Sequence, residues 1–502
     1  IDGAVRSVVT VVELLKYEHY AISETYVDGD GNSEILEMRA EVGLLTRNIV
    51  FRGDDESDKN EYGAHLMIYS VSSSDTNDFP PNARISYIEV TKAGQASSIG
   101  RHPINFHFIG SLTDSFVRGV SFHETYNRAT SISGVHYLTV DNNVYYRCKG
   151  HNIFLEDGTE TNNLISNNLV ISTRSALSND ITDRTPASFF ITNPNNQWIN
   201  NRAAGSDSHG FWIYLTEKPT GASFGNTICP TGEVLGEFDG NQAHSNNRTG
   251  LYIYPILNPR QNPCGSATDS VANPPVPGVI QNYKAWKNRV SGVFANQIGE
   301  ITFANMQIAD TLQSGIEISA GGLFRTQQLV IENITLVGMS SKCCESQNVT
   351  NSYFANPFRG IVTPRCDGLL VSNVRFHNFA TPDTITSTSQ IQSAFQDCSQ
   401  CQISSTTDSG ARTVFTRGLW FNQTSFLGTR VLFNVPYRGI FRDLDGTLVK
   451  KTLSTVTAGW VTASLPHNKA AAECQEDVEN YNGLVCDDSV QVRRVVLYAA
   501  SS

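Results

Sequence analysis

The chain is short of charge: only 17% of its 502 residues are Asp, Glu, Lys or Arg, and the balance is acidic, at −11. No cluster of Lys and Arg offsets that background, which excludes a general nucleic-acid or polyanion binder and leaves at most a local basic patch. Long apolar runs are missing too. Nothing approaches the roughly 20 consecutive residues that a membrane-crossing helix needs. Ile1 is not followed by the charged-then-apolar pattern of a secretion signal. The chain therefore reads as a processed or excised part of a longer exported polypeptide, membrane-anchored or secreted. Helical periodicity is also scarce, which argues against a bundle.

What is present is glycine, 38 of them, with many asparagines that break up runs of Val, Ile, Phe and Tyr. That composition describes strands with frequent turns. At 502 residues the chain exceeds one ordinary core, so an elongated repeat is expected. A triplet recurs, made of a large apolar residue, any residue, then Asn or Gly. It appears at Val117–Gly119, Val140–Asn142, Ile165–Asn167, Ile199–Asn201, Phe238–Gly240, Ile280–Asn282, Phe303–Asn305, Ile331–Asn333, Val349–Asn351 and Val371–Asn373. The shorter spacings run from 18 to 28 residues, and the longer ones (34, 39 and 42) read as one rung plus an insertion. This is the period of an all-β, right-handed parallel β-helix, in which Asn and Gly take the left-handed corners and each rung buries its strands against the next.

A second strand runs in register, through "RHPINFHF", "HNIFLED", "ASFFIT", "HGFWIY", "TGLYIY", "SGVFAN" and "SGIEIS". Two apolar columns face inward, beginning at Ile104 and Phe106. The column between them must face outward. It holds Phe154, Phe190, Trp212, Tyr252 and Phe294 on consecutive rungs, and the next outward column holds His107, Ser133, Glu156, Thr192, Tyr214, Tyr254 and Asn296. Stacked aromatics beside hydroxyls make a sugar platform; the alternative is an apolar stripe covered by residues 172–185 or 216–235. His107 and Glu156, two rungs apart, are the candidate catalytic pair for a glycosidic bond. Asp157, next to Glu156 on the strand, is expected on the opposite face. His102, His151 and His209 share a column, but Arg128 separates the first two, and a gap of about 10 Å at a rung spacing of ~4.8 Å is too wide for one zinc. No metal site is expected there.

The expected organisation is an N-terminal β-rich segment over 1–80 entering the coil, and a coil over 81–400 with insertions near 172–185, 216–235 and 255–279. Final coils and a small disulfide-bearing β segment follow over 401–502. Ten cysteines and four glycosylation sequons, at Asn247, Asn333, Asn348 and Asn422, point to the secretory route. Cys229 with Cys264 and Cys474 with Cys486 are plausible pairs, though spacing alone leaves connectivity open. Cys343, Cys344, Cys366, Cys398 and Cys401 fit no standard zinc module, so disulfides are preferred for them too. Two stretches imitate other chemistry. "DGDGNSE" places Asp28, Asp30 and Asn32 as in a calcium loop, yet Ser33 and Arg39 replace the turn glycine and closing glutamate, so a turn is preferred and calcium is the only cofactor suggested. "RDLDGTL" matches a phosphatase nucleophile loop but lacks room for the doubly wound sheet; Asp445–Gly446 reads as a hairpin turn.

Taken in order, "EMRAEVGLLTRNIVFRGD", "GRHPINFHFIG", "HETYNRATSI", "GHNIFLEDGTE", "TPASFFITNPNN", "SHGFWIY", "LGEFDGNQAHS" and "RDLDGTL" resemble the extracellular β-helix region of fibrocystin and fibrocystin-like proteins. That region is shared with cell-surface and secreted hyaluronan-degrading proteins. The resemblance implies a large ectodomain with receptor-like or structural roles on cilia and cell surfaces. The family's first motif usually reads Pro-Ile-His-Phe-His; here Asn105 stands in the middle, which points to the fibrocystin branch rather than the hydrolases. The expected function is thus an extracellular scaffold or recognition module for glycan or protein partners. The alternatives are a polysaccharide-cleaving enzyme and a structural component of a filament or coat.

Overall fold

The computed structural model describes residues 23–28, 31–70, 82–177, 180–266, 269, 271–321, 329–341, 358–364, 369–379, 392–397, 413–422, 426–433, 439–464 and 472–492. The chain divides into two units, Ile1–Val42 and Gly43–Ser502. In the first, Ser23–Val27 pairs antiparallel with Ser33–Glu37. In the turn between them the Asn32 backbone N–H and side-chain amide both donate to the Asp28 carboxylate, which is how a tight Asx turn closes. Asp30 lies outside the described residues.

The second unit is a parallel β-helix. One face, here called the site face, is a 12-stranded sheet running from Leu66–Tyr69 to Thr429–Leu432. The other two faces alternate along the chain. The second takes Phe116–Arg118, Thr139–Asp141, Leu164–Ser166 and their successors, and the third takes Ser121–His123, Val144–Tyr146, Leu169–Ile171 and theirs. Every rung pairs parallel with the next as far as Ile440–Asp443; Gly459–Ala463, Gly483–Asp487 and Cys474–Asp477 then add antiparallel. These last strands cover an edge that would otherwise offer free backbone groups to another chain. Among the described residues the only α-helix is Ser57–Asn60.

The coil begins ahead of residue 81, the expected boundary, because Ile49–Arg52 already pairs with Ile88–Thr91. The triplet signal is missing there since Tyr87, not Asn or Gly, holds the left-handed corner, at φ 53°. The same corner is held by Gly119, Asn142, Asn167, Asn200, Gly240, Asn282, Asn305, Asn333 and Asn373. One triplet is therefore displaced by a residue: Ile165 pairs with Trp198, so the rung reads Trp198–Asn200 and not Ile199–Asn201. Ile331 pairs directly with Val371, so no rung separates them; Val349–Asn351 lies outside the described residues.

The rung-to-rung asparagine bonds come from the residue after the left-handed corner. Asn143, Asn168, Asn201 and Asn241 are buried, and each accepts at Oδ1 from the backbone N–H of its neighbour below. Asn143 donates to Asn168 at 3.1 and 2.9 Å, Asn168 to Asn201 at 3.1 and 3.0 Å, and Asn201 to Asn241 at 2.9 and 3.1 Å. A second column, at the start of the site face, is glycine: Gly210, Gly250, Gly292, Gly315 and Gly360. A Cβ on any of them would stand 2.6–2.8 Å from the next rung's carbonyl oxygen, closer than carbon and oxygen can pack. Between these columns lies the core, with Ile104, Phe106, Ile132, Leu155, Phe189, Phe211, Leu251 and Ile316 all at most 1% exposed. Aromatic pairs such as Phe189 and Phe211 stack inside it at 4.5 Å.

Candidate functional site

Strand register puts Phe154, Phe190, Trp212, Tyr252 and Phe294 on consecutive rungs of the site face, preceded by Asn105 and Ser131 and followed by Glu317. Period-two alternation with the core columns turns all of them outward. Facing outward is not the same as being open. Phe154, Phe190 and Trp212 are 3%, 3% and 7% exposed and form a small core of their own with Ala187. The Arg128 guanidinium lies 3.8 Å from the Phe154 ring centre, the His151 ring 4.1 Å from that of Phe190, and the His209 ring 4.3 Å from that of Tyr252.

This cover is tied down by the long connection 172–186. Arg128 pairs with Asp180 at 2.5 Å and Asp183 at 3.0 Å, and His151 bonds Thr182 and accepts at Nδ1 from the Ala187 N–H. The expected platform is thus closed over its first three rings and half open at Tyr252 and Phe294. The open aromatic surface belongs mainly to the adjacent column, where Tyr214 is half-buried and Tyr254 is 41% exposed. Tyr214 stacks on Phe190 at 5.5 Å, and Tyr254 lies parallel to Tyr252 at 5.7 Å.

His107 and Glu156 lie in that same column, with Ser133 between, roughly 10 Å apart at the usual rung spacing. Glu156 accepts from the Ser131 hydroxyl at 3.3 Å, and Asp157 accepts from Ser133 at 3.2 Å and from Ser223 at 3.0 Å. Ser131 and Ser133 both project outward, so the two carboxylates share one side. The expectation of opposite faces fails because the strand ends at Leu155 and alternation ends with it. Burial pushes both carboxyls above the ordinary range, with Arg128 pulling Glu156 back and the Ser223 and Ser133 hydroxyls pulling Asp157 back. Burial carries Glu160 to about 7, although its carboxylate accepts from the backbone N–H groups of Gly134, Asp157 and Gly158.

A second insertion closes the other end of these strands. The Thr220 N–H donates to the Asp157 carbonyl, and Cys229 is bonded to Cys264, joining connections 214–237 and 254–277. The other pair read from the sequence, Cys474–Cys486, is also bonded; Cys343, Cys344, Cys366, Cys398 and Cys401 lie outside the described residues, and Cys148 is a free thiol in the core.

The histidine column is as the register required, with His102, Arg128, His151, Ala187 and His209 in order. Among the described residues no group of three His, Cys, Asp or Glu side chains is placed to hold a metal ion. Burial instead keeps these imidazoles neutral, His102 and His209 down to about 3 and His151 to about 4. Polar atoms buried without a partner on this side of the coil include both ring nitrogens of His102, Asn105 Oδ1, His107 Nδ1, His209 Nδ1 and Trp212 Nε1. Such atoms are uncommon in folded proteins, and a water, an ion or a functional role is the usual explanation.

Sequence reasoning gave Arg128 a place in the histidine column but no role, and passed over Asp183 and Glu160, which nothing local sets apart from Asp180, Arg184, Glu156 and Asp157 beside them. Of the sequons, Asn247 and Asn333 are exposed and Asn422 is half-buried, while Asn348 lies outside the described residues. Around "RDLDGTL", Asp443 is buried and accepts from the Leu448 and Val449 N–H groups. The turn there is not a two-residue hairpin, since 444–458 separate the paired strands.

Comparison with known proteins agrees with this architecture. The CEMIP beta-helix family model matches residues 61–251. Fibrocystin-L of Mus musculus is 30% identical over 97% of this chain and that of Homo sapiens likewise, each match covering 12% of the relative's length. Human "Cell surface hyaluronidase CEMIP2" is 30% identical over 58% of this chain and 25% of its own length. The chain thus spans about an eighth of the fibrocystin-L proteins it matches, 12%. Its expected place is extracellular or at the cell surface, where CEMIP2 is located by name. No helix among the described residues is long and apolar enough to cross a membrane. By motif order, rung register and these matches, the chain is similar to fibrocystin-L along nearly its whole length and to the CEMIP beta-helix over residues 61–251.

Proposed function

We propose that this β-helix is the recognition part of a cell-surface or ciliary protein, and that its site face binds glycan. The observation that carries the reading is the exposed Tyr254 ring, flanked by Tyr214, Tyr252 and Phe294 and followed on either side by Thr192 and Asn296. A pyranose face stacks on such rings while its hydroxyls need donors and acceptors nearby. The two insertions that border these strands give the face walls. Asn247 and Asn333 are exposed, which supports them as the sequons that would carry N-glycan.

The test is equilibrium binding of the chain to a polysaccharide panel. Tyr254→Ala, a surface change, is expected to weaken any binding about tenfold, or ~1.4 kcal/mol, with an unchanged circular-dichroism spectrum. An unaltered affinity sinks this placement of the site.

A second reading, polysaccharide cleavage, is favoured by one observation: Glu156 is held above the usual carboxyl range, which suits a proton donor to a leaving oxygen. His107 on the other side of Ser133 would be its counterpart. This reading requires shortened polysaccharide in product analysis, lost in both Glu156→Gln and His107→Ala; binding without any shortening eliminates it.

A further inference from the structure

Charge on the site face bears on which glycan it takes. None of the outward positions of the strands from Met67 and Tyr69 to Glu317 and Ser319 is Lys or Arg, while Glu156 and Glu317 are both there. Arg128 leans over the face from the preceding corner, but its side chain is 8% exposed and already meets Asp180 and Asp183. Arg248, exposed at the corner before Leu251–Ile253, is a further cation whose field reaches His209 and Tyr252. Against it stand Glu156, Asp157 and Glu317, in a chain of net charge −11.

A polyanionic glycan carries a carboxylate or sulfate at every sugar or every second one. Laid along several rungs, it would press those groups against Glu156 and Glu317 with no arginine or lysine on the strands to pair them and Arg248 at one corner alone, and like charges brought together in a partly dry groove exclude a ligand more effectively than missing contacts do. Neutral sugars meet the opposite situation. Vicinal hydroxyls donate to a carboxylate in charge-assisted bonds, and the half-buried Asn296 adds an amide beside the Tyr214 and Tyr254 rings.

We propose that the site face selects neutral polysaccharide and rejects polyanionic chains. This rests on the glycan-recognition reading above and departs from the hyaluronan named in relatives such as the mouse "Cell migration-inducing and hyaluronan-binding protein".

The experiment measures binding of the whole 502-residue chain to galactomannan and xyloglucan as neutral probes and to hyaluronan and alginate as polyanions, each at low and high salt. The expected result is binding to a neutral probe that salt leaves unchanged and Tyr254→Ala weakens about tenfold, with the polyanions weaker by a similar factor or more. Glu317→Lys, a half-exposed position, is expected to admit hyaluronan in a salt-dependent way. Tighter binding of hyaluronan or alginate by the unmodified chain, weakened by salt and by Tyr254→Ala, overturns the charge selection while leaving glycan recognition standing. Failure of all four probes overturns both.

Discussion

At the residue scale, burial decides which side chains on the site face are available and which are structure. Tyr254 keeps 41% of its surface in solvent, whereas Trp212, one rung earlier and one column over, keeps 7%. The same burial makes stability depend on pH. His102, His151 and His209 have folded pKa values of about 3 to 4, below the ~6.5 of an unfolded histidine. Their contribution is therefore complete above that value and is lost as pH falls through the folded one. Glu160 and Asp443, raised by burial to about 7 and about 6, act with the opposite sign: their contribution is complete below the unfolded carboxyl range and is lost as pH rises. The three histidines by themselves make acidification from near 6.5 towards 4.5 lower the stability, by ~1.4 kcal/mol per pH unit for each proton taken up on unfolding, while the raised carboxyls, Glu156 and Asp157 included, oppose it. His209→Phe keeps a ring against Tyr252 and removes one titrating group. It should flatten that decline in a thermal melt series, and an unchanged slope would assign the acid sensitivity elsewhere.

At the element scale, the corner between second and third faces holds two devices side by side. Asn200 takes the left-handed conformation at φ 55°, and Asn201 is the buried ladder residue, accepting from Asn168 and donating to the Ile165 carbonyl. Asn200→Ala is expected to cost about 1 kcal/mol through backbone strain. Asn201→Ala should cost about 3 kcal/mol, since it strands buried donors and an acceptor. Urea unfolding of the two variants would measure the order, and a reversed order would contradict the ladder's role.

This corner also marks how far the sequence could be read. Alternation fixed the core columns because every second residue of each strand is apolar. The triplet near Ile199 slipped because Trp198–Asn200 and Ile199–Asn201 both satisfy the pattern, and only pairing with Ile165 chooses between them. The glycine column went unread although four of the quoted segments begin with a glycine in their second position. The cover over Phe154 and Phe190 was legible as the alternative, an apolar stripe under residues 172–185, but the tie that holds it was not: Arg128 meets Asp183 55 residues later, through an ion pair that no local pattern announces.

At the scale of the whole coil, rungs depend on their neighbours while the insertions depend on covalent and ionic ties. The Cys229–Cys264 bond joins two connections outside the sheets, so Cys229→Ser with Cys264→Ser is expected to leave the main melting transition nearly in place while opening 214–237 and 254–277 to limited proteolysis. Loss of the main transition would instead make the insertions part of the coil's cooperative unit.

The Asn corner has a further consequence. It is two residues long in every rung from 119–120 to 305–306, whereas the corners on either side of the site face lengthen freely, at 172–186, 214–237 and 254–277. Length can therefore change at the borders of the site face without disturbing the Asn spine. A coil built this way can carry loops of different length beside the same face, as an antibody domain does, while every rung below them keeps its register.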